Sequence, residues 1–178
     1  MLVLAFDTAT PAVTVAVGDA GQILAQQTVV DARRQGELLT VCIEDVLAEA
    51  RVTHGDLDAV ASGAGPGPYT GLRVGLVTAR VLGSALGIAA YGFCTLDIIA
   101  AEATEAAAGL PVAGEGAHAY PEPLGEPIAP RYPSAATAVT WCAARLAAGE
   151  PLGPPDPMYL RRPDARVPGA LKSVLAAR

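Results

Sequence analysis

Two short stretches hold the residues whose types and spacing could do chemistry: DTAT, Asp7 to Thr10, and GAGPGPYTGLRVG, Gly63 to Gly75. A carboxylate that closes a strand can hold a metal-bound water beside phosphates, and Thr8 and Thr10 would add hydroxyls. Ala9, however, stands where a glycine would let phosphates approach the backbone. The competing reading of Asp7 is a turn cap that bonds its own local backbone. In the second stretch Gly65 and Gly67 suit a phosphate cradle, in which backbone N–H groups converge and a helix N-terminus adds partial positive charge. Pro66 and Pro68 remove two of those donors, and the Lys and hydroxyl of a Walker A loop are missing, as is dinucleotide-fingerprint spacing. The nucleotide reading and a structural one both stay open, and the structural one explains more. Prolines stiffen the loop, Tyr69 offers an amphipathic contact surface, and Thr70 or Gly71 can start a helix.

Other chemistries find little support. His54 and His118 stand alone, without a second His at helical spacing to make a metal pair, and no nucleophile–base constellation can be assembled. Cys42, Cys94 and Cys142 are odd in number and widely spaced, which argues for reduced, mostly buried thiols rather than a disulfide framework. A net charge of −6 leaves no basic stripe to track a nucleic-acid backbone. The one local cluster, Arg161, Arg162, Arg166 and Lys172, reads as a solvated tail. No metal site and no tightly bound cofactor are expected.

The elements that must position these residues follow from periodicity. Leu2–Phe6, an alternating run Val13, Val15, Val17, and Ile23–Val30 read as a three-stranded meander with a turn at Gly18–Gly21. A helix over Glu37–Arg51 carries the apolar stripe Leu39, Cys42, Ile43, Val46. A strand at Leu57–Ser62, a helix from the glycine-proline loop to Gly87, a strand at Ile88–Tyr91 and a helix opening at Thr95, its expected N-cap, complete the order. Three strands, helix, strand, helix, strand, helix is the topology of a ribonuclease H-like lobe, which actin-like ATPases carry twice. A complete lobe is therefore expected over residues 1–102 and an incomplete second one over 103–178. After Glu102 no hairpin follows; a helix over about Ser134–Ala148 and a last strand at Met158–Arg161 are expected.

Composition fits a water-soluble α/β chain, with 52% apolar residues. The most apolar window, Leu72–Gly92, is interrupted by Arg73, Arg80 and Ser84 and reads as a buried helix, not a membrane span. The opening MLVLAFDTAT lacks a basic n-region and meets Asp7 early, so a cytoplasmic location is expected. Along the second helix, Gly71, Gly75, Ala79, Gly83 and Gly87 form a row of small residues four apart. Each interior glycine costs up to about 1 kcal/mol against alanine, so another surface must approach closely, either this chain's own sheet or a partner.

With those blocks in view, LAFDTAT, GAGPGPYTGLRVG and the ending YLRRPDA, Tyr159–Ala165, resemble the sequence blocks of the bacterial TsaB (YeaZ) family, in the same order. That family usually reads GxGPGSFTGxRxG; here Pro68 and Tyr69 replace Ser and Phe, and Gln35 stands where the family often has His. The likeness covers residues 1–102 and, more loosely, 110–168. Between them a family stretch of some tens of residues, which forms the second meander, is absent. The resemblance implies a noncatalytic scaffold subunit for threonylcarbamoyl transfer to adenosine 37 of tRNAs reading ANN codons. It further implies pairing with the catalytic paralogue TsaD, joining of the ATPase TsaE, a homodimer when alone, and tRNA contact only through the complex, which as a whole uses ATP and a metal ion. On that reading Asp7, Thr8, Thr10, Gly65 and Gly67 are a vestigial nucleotide site. A partner interface is expected at Leu39, Cys42, Ile43, Val46, Pro66, Tyr69, Thr70, Gly71, Leu72, Arg73, Gly75 and Ala79. The alternatives are an actin-like ATP-binding kinase or ATPase, using Asp7 and the loop glycines, and a glycoprotease-like hydrolase.

Overall fold

A computed structural model describes residues 1–103, 112–119 and 126–160. Strands β1 (Val3–Asp7), β2 (Ala12–Gly18) and β3 (Ile23–Val30) form the expected antiparallel meander. Helix α1 (Gln35–Ala50) crosses to β4 (Ala59–Gly63), and α2 (Tyr69–Leu86) crosses to β5 (Ala89–Phe93). Both new strands pair in parallel, giving one five-stranded sheet of order β3-β2-β1-β4-β5. Helix α3 (Thr95–Ala103) follows directly, then a two-residue parallel pair, β6 (Val112–Ala113) with β7 (Pro127–Ile128), flanks α4 (Glu115–Ala119). Helix α5 (Ala135–Ala147) starts at Ser134, whose hydroxyl accepts from the Thr137 N–H at 3.3 Å.

Strand β1 lies at the centre and is buried along its whole length, because both faces of the sheet are covered. On one face Leu4, Phe6, Val13, Val15, Val17 and Val60 meet Leu39, Cys42, Ile43 and Val46 of α1 and Ala79 of α2. On the other, Val3, Ala5, Ala16, Ala59 and Ala61 meet Ile98 of α3 and Ala135, Ala138, Val139, Cys142 and Ala143 of α5. The side chains of that second face are mostly alanines, on the sheet and on α5 alike, so helix and strands approach closely. A helix from the 103–178 segment thus completes the layer over the sheet built by residues 1–93.

The row of small residues on α2 faces inward. A Cβ on Gly75 would lie 2.7 Å from Thr8 Oγ1 and 2.8 Å from Ser62 Oγ, and one on Gly83 would lie 2.9 Å from Ala90 Cβ. The cost of glycine in the helix is offset by contact with this chain's own sheet. Gly87 ends the helix in the left-handed region at φ 68°.

Two local expectations need correction. Thr95 does not cap α3; its hydroxyl donates to Asp7 Oδ2 at 2.6 Å instead. Met158–Leu160 forms no strand, and Arg161 lies outside the described residues. Residues 151–160 instead run as a strap, anchored where Gly92 N–H donates to the Gly153 carbonyl at 2.9 Å and Met158 N–H to the Ala64 carbonyl at 2.8 Å. The join between residues 104 and 111, where the family stretch is missing, also lies outside the described residues.

Candidate functional site

The two stretches singled out by their chemistry meet at the C-terminal ends of β1 and β4. Asp7, the last residue of β1, is buried with both carboxylate oxygens engaged. Oδ1 accepts from the Ala9 N–H at 2.7 Å and Oδ2 from the Thr95 hydroxyl at 2.6 Å. Desolvation pushes its pKa up to about 6, against the two hydrogen bonds that favour the charged form. Gly63, closing β4, packs directly on this carboxyl; a Cβ there would clash with Oδ2. One side chain therefore pins the ends of two strands and the start of α3.

Thr8 does comparable work on α2. Its hydroxyl donates to the Gly71 carbonyl at 2.8 Å and accepts from the Gly75 N–H at 3.1 Å, bridging the two ends of one helical rung. Thr10 accepts from the Ala12 N–H at 3.2 Å, which shapes the turn into β2. Gln35 Nε2 donates to the Thr10 carbonyl at 2.8 Å, so an amide at this position ties α1 to the same turn.

The loop after β4 is bound up as well. Ala64 N–H donates to the Phe93 carbonyl at 2.8 Å, and the Gly65 carbonyl accepts from Thr95 N–H at 2.8 Å. Gly65 takes φ 97°, and a Cβ on Gly67 would strike the Ala9 carbonyl. Asp7, Thr8, Thr10, Gly65 and Gly67 are thus brought together, but the loop and the strand-end turn rest on each other with no gap between Gly67 and Ala9. The residues present do not fit ATP with its metal ion: both oxygens of the buried Asp7 carboxylate are bonded within the chain, and Gly67 lies against the Ala9 carbonyl. Among the described residues no group of three or more His, Cys, Asp or Glu could hold a metal ion.

The expected interface residues divide sharply. Leu39, Cys42, Ile43 and Val46 are buried in the chain's own core, as are Gly71, Leu72, Gly75 and Ala79 on α2. The reason is geometric: the most apolar stripe of each helix covers the sheet, so it cannot also face a partner. Pro66 is half-buried, while Tyr69, Thr70 and Arg73 are exposed. The outer faces carry apolar residues that periodicity passed over, Val41 on α1 and Val77 and Val81 on α2, which are 55%, 57% and 59% exposed. Their signal was in the sequence, as valines off the core stripe. Tyr159, noted only within the YLRRPDA block and an expected strand, was not expected at a site; its ring stacks on Tyr69 with centroids 5.6 Å apart, and the Arg73 guanidinium lies 4.0 Å from the Tyr69 centroid.

A family model described as TsaD, tRNA N6-adenosine threonylcarbamoyltransferase, matches residues 22–116. An uncharacterized protein of Mycobacterium tuberculosis is 38% identical over 204 residues, covering 92% of this chain and 93% of that protein. The TsaB protein of Escherichia coli, described as a tRNA threonylcarbamoyladenosine biosynthesis protein, is 32% identical over 100 residues, covering 56% of this chain and 43% of that protein. The chain belongs to the TsaD family. The fold is shared with a solved structure: YeaZ from Pseudomonas aeruginosa superposes with a TM-score of 0.75 at 23% identity, over 89% of this chain and 99% of that one. The 204-residue alignment to the mycobacterial relative is longer than this whole 178-residue chain, so that relative carries segments absent here. Among the described residues no helix is long and apolar enough to cross a membrane.

Proposed function

We propose that this chain is a noncatalytic scaffold subunit in the biosynthesis of threonylcarbamoyladenosine in tRNA, acting by pairing with a TsaD paralogue. The observation that carries this reading is the closed strand end. Asp7 is spent on Ala9 and Thr95, and Gly67 rests on Ala9, so the place where an actin-like enzyme would hold phosphates serves as a structural joint. What the chain offers outward instead is a pair of adjacent helices, α1 and α2, with Val41, Val77 and Val81 on their solvent faces. Exposed apolar side chains on neighbouring helices suit a four-helix contact with the matching helices of a paralogous lobe, or of a second copy when the partner is missing. A TsaE-type ATPase would join this pair, and ATP and the metal ion would then be held by other subunits.

The test is co-purification with the organism's own TsaD, followed by tRNA modification with and without this chain. Modification that proceeds equally well without it overturns the proposal. The actin-like ATPase reading makes the opposite forecast, micromolar ATP binding by the isolated chain in calorimetry, which the packed loop argues against.

A further inference from the structure

We infer that Tyr159, Tyr69 and Arg73 form a contact surface for an unpaired loop of the tRNA, a role that rests on the function proposed above. The three side chains come from two segments far apart in sequence and are assembled by the strap. The Met158 N–H to Ala64 bond seats the strap on the glycine-proline loop, and the Arg80–Asp156 ion pair fixes it along α2. Tyr159 then lies on Tyr69, and Arg73 lies over the same ring. Tyr69 and Tyr159 remain 48% and 45% exposed, so the stack ends in solvent rather than in the core.

The charge around this stack selects the partner. In a chain with 18 acidic and 12 basic residues, no Asp or Glu occurs from Ala59 to Leu96, while Arg73 and Arg80 do. Asp156 neutralises Arg80, but among the described residues no carboxylate pairs with Arg73. The acids of α1, in contrast, line its exposed side at Glu37, Glu44, Asp45 and Glu49. An aromatic platform beside an unpaired guanidinium is the arrangement that receives unstacked RNA bases while neutralising phosphate. An acidic protein partner would also meet the charge, but it has less use for a two-ring stack with an open end.

The experiment uses the assembled chain–TsaD complex and a fluorescently labelled transcript of a tRNA that reads an ANN codon, followed by anisotropy over a salt series. Tyr159→Ala and Arg73→Ala should each weaken tRNA binding by about fivefold or more, the low end of what one base–aromatic stack supplies. Arg73→Ala should also flatten the salt dependence by roughly one phosphate contact. Tyr159→Phe keeps the ring and should bind as wild type. Arg73→Ala leaves the strap's own anchors in place, so its effect does not depend on whether Tyr159→Ala loosens residues 151–160. Unchanged tRNA affinity in complexes that assemble normally overturns the surface alone. Lost co-elution with TsaD or TsaE at unchanged tRNA affinity overturns it too, and assigns the patch to a protein partner. A wild-type chain that fails to join TsaD refutes the function on which this inference stands.

Discussion

Replacing Asp7 with Asn should stabilise this protein at neutral pH, contrary to the usual effect of altering a buried, hydrogen-bonded acid. The carboxyl moves from 3.8 to about 6 on folding, chiefly through desolvation. At roughly 1.4 kcal/mol per pH unit this corresponds to a cost of about 3 kcal/mol for carrying the charge in the folded state. The native protein holds this proton more tightly than the unfolded chain, so between pH 3.8 and 6 it binds more protons and stability falls as pH rises. The contribution is complete below pH 3.8 and lost above about 6. Asparagine has the same shape, can accept from the Ala9 N–H, and can donate to a rotated Thr95 hydroxyl without carrying charge. Thr95, whose hydroxyl meets the carboxyl, does not titrate, and neither does Thr14, the residue opposite Asp7 in the register of β2. Urea unfolding followed by circular dichroism from pH 5 to pH 8 should show the Asn variant gaining on wild type, by roughly 1.5 kcal/mol over that span. A variant that is less stable at pH 8, or an advantage that does not change with pH, refutes the reasoning. Either result would mean that the carboxylate is compensated by a cation or partner in solution.

Gly75→Ala should lower stability by about 1–3 kcal/mol and Gly75→Leu should prevent folding, because any Cβ meets Thr8 and Ser62; a normal thermal melt for the leucine variant would contradict the inward placement of the small-residue row. Val77→Glu combined with Val81→Glu should change stability by no more than about 0.5 kcal/mol each, as expected for exposed positions, yet abolish co-elution with TsaD; retained co-elution places the docking surface elsewhere. Thiol titration of the folded protein should leave Cys42 and Cys142 unmodified, since burial raises both and pushes Cys142 up to about 12; all three thiols should react in denaturant, and rapid native labelling of Cys142 would show that α5 opens readily.

The order of strands and helices through Ala103 was legible because each element carries its own period, alternation in β2 and a helical stripe in α1. Periodicity marks which face of a helix is apolar; it does not say what lies against that face. Leu39, Cys42, Ile43 and Val46 therefore read equally well as core or as interface, and only the tertiary structure shows the sheet beneath them. The role of Thr95 was hidden for a different reason. Its hydroxyl could cap its own helix or reach Asp7, and the winning partner is 88 residues away in sequence. The strap left no pattern to find, since two backbone anchors, one ion pair and one ring stack hold it without a ladder. The joining of DTAT to the glycine-proline loop was readable as chemistry, but its closure depends on Gly67 resting against Ala9, a contact no spacing rule encodes.

Helix α5 covering the alanine-rich face of the sheet has a consequence for how the chain is made. All five strands have been synthesised by Phe93, but the helix that shields their second face ends only at Ala147. At ordinary rates of synthesis the ribosome needs roughly 3–10 s to add the intervening residues. Throughout that interval Val3, Ala5, Ala16 and Ala61 have no α5 to cover them. The nascent sheet must wait, unfinished or chaperoned, for a helix encoded more than a hundred residues after β1 and β2, the first strands it covers. Small side chains on that face, rather than large ones, keep the waiting surface less adhesive.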